Sequence, residues 1–347
     1  FIFGDRDVDG ITATVLLVRL LSRMGAHVEW GLPVGDDNYG LTFNLIEEFK
    51  KKGINLLITV DCGISNIDEI DSVKEDGIET IIVDHHNPHE YLPDAVAILN
   101  PKVEESGYPF KDLSGCSVVS KLVWALLFSK TRYYSQEVFL LHIRPVNEAF
   151  EIEAIKLVNL IQKERIIETI VPGMVAEKQT RLYEFIGDHE VCIFATKDQQ
   201  HQVEKCFGPD TSFSFYDISS FIFQVFPALK GKSLLKIKEK SRTALYSETP
   251  YTEMDVFVNL LISSIIKSEK SLSVDFVNEM DLIALGTLAD IMPLVNENRI
   301  LVKIGLSLLN KIKRDGIRDL IYNNDLHLKR ITAKEVSWYI TPIINAS

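Results

Sequence analysis

Phe1-Ile2-Phe3-Gly4-Asp5-Arg6-Asp7-Val8-Asp9-Gly10 opens the 347-residue chain with a short apolar run followed by three aspartates at every second position. The apolar run reads as a strand, the aspartates as a loop, and residues 11–24 as the helix that follows. The same alternation continues as far as residue 128. Further strands are expected at 28–32, 56–60, 80–83 and 96–99, and helices at 41–52, 67–75 and 117–128. Short apolar runs separated by amphipathic segments imply βαβ units, and hence a parallel sheet with helices on both faces.

Beyond this region the pattern changes. Residues 131–279 read as an inserted subdomain, with helical stretches such as 151–169 ahead of a small α/β pattern. In that pattern 190–196 and 212–218 are strand-like, with 199–206 between them. An apolar helical pattern returns at Asp281 and runs through Leu309. The expected organisation is therefore a catalytic domain in two parts, 1–130 and 280–347, interrupted by 131–279. The start at Phe1, within an apolar run and without a methionine, reads as part of a longer protein.

Composition narrows the class. A hydrophobic content of 46% with 25% charged residues is that of a globular protein. The longest apolar run near the start, 15–21, is broken by Arg19, far short of the ~20 apolar residues that cross a bilayer. No membrane partner is expected. Cys62, Cys116, Cys192 and Cys206 form no close-spaced pair, which fits reduced thiols and a cytoplasmic location. The net charge of −12 excludes a uniformly basic nucleic-acid-binding surface. It does not exclude a nucleic-acid enzyme, because carboxylates that hold cations lower the formal count and bound metal reverses the local field.

The acidic residues sit at a consistent place. Asp5, Asp7 and Asp9 follow the first strand, Asp61 follows 56–60, and Asp84-His85-His86 follows 80–83. Ligands of open parallel sheets bind at the carboxyl ends of the strands, so three strands would deliver carboxylates and imidazoles to one crevice. A lone aspartate at such a place is more commonly a helix cap. A whole set of them would repel unless divalent cations neutralised it, and mixed carboxylate–imidazole ligands suit manganese or magnesium. Two such ions in one site promote phosphoryl transfer.

These residues carry a family resemblance. Gly4-Asp5-Arg6-Asp7-Val8-Asp9-Gly10 resembles the first motif of the DHH phosphoesterases, Val60-Asp61-Cys62-Gly63 the second, and Val83-Asp84-His85-His86 the triplet that names the family. Gly286-Thr287-Leu288-Ala289-Asp290-Ile291-Met292-Pro293-Leu294, with Glu297-Asn298-Arg299, is similar to the fourth motif of the RecJ single-strand exonucleases. Asn38-Tyr39-Gly40-Leu41 and Pro342-Ile343-Ile344-Asn345-Ala346 also look RecJ-like. The resemblance implies an α/β phosphoesterase fold with two manganese or magnesium ions. Asp7 and Asp9 would each hold one ion, with Asp5 as a further candidate, and Asp61 would bridge them. His85 and Asp290 would complete the second site. His86 and Asn345 would contact substrate, and Asp84 would orient a neighbouring imidazole. Asp61, Asp84, His85 and His86 would thus form the catalytic set. The implied activity is 5′→3′ hydrolysis of single-stranded DNA in repair and recombination, with single-strand-binding or replication and repair proteins as partners.

Two departures stand out. Many family members have histidine where this chain has Phe3, and RecJ-like sequences carry arginine where it has Ile343. The other readings are a phosphodiesterase of short oligoribonucleotides or linear dinucleotides, and a non-catalytic replication scaffold of the same fold. A pyrophosphatase is disfavoured by Phe3. Gly231-Lys232-Ser233 lacks the glycine that a phosphate-binding loop needs at 226, and His89 reads as a solvated loop residue. The cations Lys230, Lys232, Lys236, Lys238, Lys240 and Arg242 read as a solvated helix face, with Leu234, Leu235 and Ile237 inward, and Phe221, Phe223 and Phe226 read as core.

Overall fold

The computed structural model describes residues 1–35, 40–311 and 313–346, apart from the side chain of Thr196. Asn38 and Tyr39 of the RecJ-like segment 38–41 lie outside them. The chain divides into two compact units, one of Phe1–Leu127 together with the residues from Val274 onward, the other of Phe128–Ser273.

The first unit opens with β1 (Ile2–Gly4), α1 (Val8–Arg23), β2 (Trp30–Gly31), α2 (Phe43–Lys52), β3 (Leu56–Val60), α3 (Ile67–Glu75), β4 (Glu79–Val83), β5 (Ala97–Leu99) and α4 (Gly115–Ser129). All pairings in its sheet are parallel, and the strand order is β2-β1-β3-β4-β5. Alternate strand residues feed two cores. Ile2, Ile58, Val60 and Val83 pack with Ala13, Leu16 and Leu17 of α1 and Val119 and Val123 of α4. Phe3, Leu57 and Ile82 pack on the opposite face with Ile46 and Phe49 of α2 and Ile70 and Val73 of α3. Burial on both faces is why these strands read as continuous apolar runs rather than as an alternation. Thr42 caps the start of α2, and Gly53 ends it at φ 67, a left-handed conformation that glycine adopts without steric cost.

In the second unit, residues 151–169 are not helical. They belong to a meander of β6 (Glu137–Val146), β7 (Ala149–Val158) and β8 (Ile161–Ile170), all antiparallel. The turns account for the difference. Val146 pairs with Ala149 and Val158 with Ile161, leaving two-residue loops at Asn147-Glu148 and Asn159-Leu160. Asn159 and Leu160 stand at φ 52 and 63, the doubly left-handed turn that suits the twist of a hairpin. Leucine is a poor signal for such a turn, and the isoleucines of 149–170 satisfy a helical period about as well as a strand period.

The meander is extended by α5 (Arg181–Ile186), β9 (Val191–Ile193), α6 (Thr196–Phe207) and β10 (Phe215–Asp217), giving a mixed sheet of order β10-β9-β6-β7-β8. Helices α7 (Ser219–Val225), α8 (Leu234–Lys238), α9 (Arg242–Leu245) and α10 (Glu253–Ser268) follow. Phe221, Phe223 and Phe226 pack with the core of this unit, but Leu235 is exposed rather than inward.

The first unit resumes with α11 (Met280–Ala289), α12 (Asn296–Leu309), α13 (Asp315–Asn323), α14 (Ala333–Glu335) and α15 (Thr341–Asn345). Residues 280–288 of α11 are all buried, which is why that helix shows no polar face. Among the described residues no helix is long and apolar enough to cross a membrane.

Candidate functional site

Strand register sets the site. Gly4 pairs with Val60, Val60 with Val83, and Val83 with Leu99. The next residue of each strand is Asp5, Asp61, Asp84 and Asn100, so these four stand in a row at one edge of the sheet. From β1 the chain turns to β2 on one side and returns to β3 on the other. That reversal of strand order opens a crevice between β1 and β3, where Asp5, Asp7 and Asp61 converge.

Asp7 caps α1 by accepting the Gly10 amide at 2.9 Å. Asp9, one turn in, points elsewhere. Its carboxylate accepts the Gly115 amide at 2.6 Å and the Cys116 amide at 3.0 Å, the first N–H groups of α4. Two glycines make room for the acids. A Cβ on Gly115 would lie 2.2 Å from Asp61 Oδ1, and one on Gly286 would lie 2.2 Å from Asp9 Oδ1. Residue patterning missed the part played by Gly115, Cys116 and Gly286, since close approach of backbone to a distant carboxylate leaves no periodic trace.

Three groups of side chains bring a ligating atom of each member within 4.8 Å of the others. They are Asp5-Asp7-Asp61, Asp9-His85-Asp290 and Asp61-His85-His86. His85 Nε2 stands 3.2 Å from Asp61 Oδ1 and 3.5 Å from Asp290 Oδ2. The buried oxygens Asp61 Oδ1 and Asp290 Oδ2 have no hydrogen-bond donor among the described residues. Buried acceptors without donors are costly, and a cation would satisfy both.

Asp84 stands apart because its oxygens are already engaged. Oδ1 accepts the His85 amide at 2.7 Å and the His86 amide at 3.1 Å and lies 2.7 Å from His86 Nδ1, while Oδ2 accepts the Ile64 amide at 3.0 Å. Asn100 braces the same loop, donating to the His86 carbonyl at 2.9 Å and accepting the Lys102 amide at 2.8 Å.

Electrostatics separate the roles. Burial, reinforced by Asp290 and Asp7, pushes the Asp9 carboxyl up to about 7. Burial and Asp7 raise Asp290 to about 6. Asp61 is driven well above the ordinary carboxylate range by burial and then by the charges of Asp9, Asp7, Asp84 and Asp5. Asp5 is raised chiefly by burial. Burial would raise Asp84 too, but its hydrogen bonds to His86 and Ile64 outweigh that and hold it low. His85 falls to about 4 through burial and the neighbouring His86 charge, leaving a neutral imidazole able to ligate. The hydrogen bond to Asp84 raises His86 instead. The Lys102 charge adds to the lowering of His85 and opposes the rise of Asp290.

Of the remaining expected residues, Asn345 accepts the Val8 amide at 3.0 Å through its side-chain oxygen, bracing the start of α1 beside Asp7. Phe3 is buried in the core between the sheet and α2–α3. Ile343 is partly exposed on α15. All four cysteines are free thiols.

Residues 1–143 match the family described as DHH family, N-terminal domain. The single-stranded-DNA-specific exonuclease RecJ of Bacillus subtilis is 41% identical over 127 residues, covering 36% of this chain and 16% of that protein. The RecJ of Haemophilus influenzae is also 41% identical over 127 residues, covering 36% of this chain and 22% of that protein. The match thus spans less than a quarter of either relative's length. A crystal structure of exonuclease RecJ bound to manganese aligns with 99% of this chain and 51% of its own, with a TM-score of 0.50 at 22% identity, a likeness of fold. The chain is homologous to the RecJ exonucleases over that matched part.

Proposed function

We propose that the first unit is a divalent-metal-dependent phosphodiesterase that degrades single-stranded DNA in the 5′→3′ direction. The observation that carries the reading is the convergence of Asp5, Asp7, Asp9, Asp61, His85 and Asp290 at one crevice, with two buried carboxylate oxygens lacking donors. Asp7 and Asp9 would each hold one of two manganese or magnesium ions, Asp61 would bridge them, and His85 and Asp290 would complete the second site. Asp5 is grouped with Asp7 and Asp61, so it can supply the ligand that Phe3 does not. Bound ions of this kind neutralise the carboxylates, polarise a phosphate and activate a water.

The chain's own groups do the rest. Asp84 holds the His86 imidazole by Nδ1 and favours its cationic form, so that Nε2–H can donate to a phosphate oxygen. The α4 amides fix Asp9 against rotation, and Asn345 fixes the first turn of α1. The choice of strand is supported by the homology to RecJ, whose named substrate is single-stranded DNA; the 5′→3′ polarity is what the motif resemblance implies. Single-strand-binding or repair proteins are the corresponding partners.

A second reading takes short oligoribonucleotides or linear dinucleotides as substrate. The apolar Ile343, where the resemblance expects arginine, favours it by removing a charge that would grip a long strand.

The test is hydrolysis of 5′-labelled single-stranded DNA by the manganese-loaded chain, beside the Asp61→Asn variant. Release of labelled mononucleotide by the native chain alone is the expected result. Cleavage of short oligoribonucleotides with DNA left intact would favour the second reading, and failure on both would contradict the phosphodiesterase.

A further inference from the structure

The segment 230–242 carries Lys230, Lys232, Lys236, Lys238, Lys240 and Arg242 against a single acid, Glu239, within a chain of net charge −12. It is not one helix face: only α8 and Arg242, the first residue of α9, are helical, and Lys230, Lys232 and Lys240 lie in the connections beside them. Both helices have serine caps. Ser233 accepts the Lys236 amide at 3.4 Å and Ser241 the Ala244 amide at 3.2 Å. Leu234 and Ile237 are buried in a core shared with Met254 and Phe257 of α10, which fixes the face that α8 turns outward. Lys230, Lys236, Lys240 and Arg242 are exposed.

Among the described residues none of the six cations takes part in a salt bridge. Elsewhere in the same unit cations do find acids: Arg144 pairs with Glu151, Lys156 with Glu137, and Arg165 with Glu153 and Asp255. Lys238 lies near enough to Glu253 to help lower its carboxyl, and Glu239 is the one acid of the segment. The remaining excess of positive charge is self-repulsive and is relieved by binding a polyanion. Beside it stand Leu245 and Tyr246, 73% and 79% exposed. Phe221, Phe223 and Phe226 pack with the core, whereas the Tyr246 ring is open to solvent. Cations spaced along a surface with an open aromatic ring make the combination that holds single strands, phosphates on the cations and a base on the ring.

We propose that the segment 230–246, with α8, α9 and Tyr246, forms a binding surface for single-stranded nucleic acid. Lys230, Lys236, Lys240 and Arg242 contact phosphates, and Tyr246 stacks on a base. The proposal deepens the proposed function by giving the second unit a grip on the same class of substrate, and it rests on that reading for the choice of strand. An acidic protein segment would meet the cations but would gain nothing from the tyrosine.

The experiment measures binding of a fluorescent oligothymidylate to the full chain by anisotropy, with chelator present so that nothing is hydrolysed. Three variants are compared with the native chain. Lys230→Gln/Lys236→Gln/Lys240→Gln/Arg242→Gln removes the exposed charges, Tyr246→Ala removes the ring, and Lys230→Arg/Lys236→Arg/Lys240→Arg retains charge. The glutamine variant is expected to bind at least tenfold more weakly, with a logarithmic salt slope shallower by ~0.7 for each phosphate it no longer neutralises. Tyr246→Ala should weaken binding about tenfold at an unchanged salt slope, and the arginine variant should bind as the native chain does. Manganese-dependent hydrolysis of bis(p-nitrophenyl) phosphate should be equal in all four. That small ester reports on the first unit alone, so its loss in the native chain would strike the proposed function without touching this surface. Oligothymidylate binding unchanged in the glutamine variant would overturn the proposal. So would displacement of the strand by polyglutamate together with indifference to Tyr246→Ala, which would mark a dock for acidic protein.

Discussion

Asp61 answers to several demands at once. Its backbone sits at φ 59, a left-handed conformation that aspartate and asparagine tolerate better than most residues. Its carboxylate is buried among four other acids, and Gly115 presses against it. Asp61→Asn is therefore a cleaner variant than alanine, because it keeps the backbone preference and removes only the charge. Gly286 is under a similar constraint beside Asp9. Gly286→Ala would place a methyl 2.2 Å from Asp9 Oδ1 and 2.8 Å from the Cys116 Cβ. We expect a loss of about 1–3 kcal/mol in stability from overpacking, and, with Asp9 the proposed ligand, a manganese affinity reduced about 10–100-fold. Thermal melts and metal titration check the two effects separately, and an unchanged affinity would show that Asp9 is not held by this packing. The Asp84–His86 pair gives a second outcome. Asp84 raises the His86 pKa, so in Asp84→Asn the imidazole should titrate at lower pH than in the native chain. NMR of the His86 ring protons reads this directly, and an unaltered midpoint would remove Asp84 as the cause.

Among the elements, β1, β3 and β4 are legible in the sequence because each is an apolar run closed by a polar cluster, whereas the strand expected at 28–32 is only Trp30–Gly31. The aspartates at their ends mark the crevice from sequence alone. Legibility fails at residues 151–169, where isoleucine spacing fits both periods and the deciding turn is Asn159-Leu160. Leu160 at φ 63 gives no turn signal, because leucine seldom occupies that conformation. The contribution of α4 to the site is equally hidden, since its role is carried by backbone amides rather than by side chains. The hairpin turn makes its own prediction. Leu160→Val places a β-branched residue in the left-handed region and should cost about 1–2 kcal/mol, whereas Leu160→Asn, a residue that tolerates that region, should cost less. Denaturant unfolding of both variants checks the contrast, and equal stabilities would mean that the turn is not held as described.

For the whole molecule the buried acids couple metal binding to pH. Asp9 at about 7 and Asp290 at about 6 are raised above the ordinary carboxylate value of 3.8. The metal-free fold therefore binds protons that the unfolded chain has already released. The stability this provides is fully present below pH ~4 and is lost as pH rises through 6 to 7. Binding of a cation displaces those protons, so its effect must grow over the same range. In chelator the melting temperature should fall between pH 5 and 8, and the rise produced by manganese should be larger at pH 8 than at pH 5. A manganese-induced rise independent of pH would detach the raised acids from the metal site.

A divalent-metal centre at this cluster of acids and imidazole would take up manganese, and electron paramagnetic resonance of the free ion measures that uptake. When the ion is titrated into the native chain and into Asp61→Asn at pH 7.5, the native chain should remove up to two equivalents of free-ion signal. The variant should remove at most one, and weakly. Equal uptake by the two proteins, or none by the native chain, would contradict such a centre.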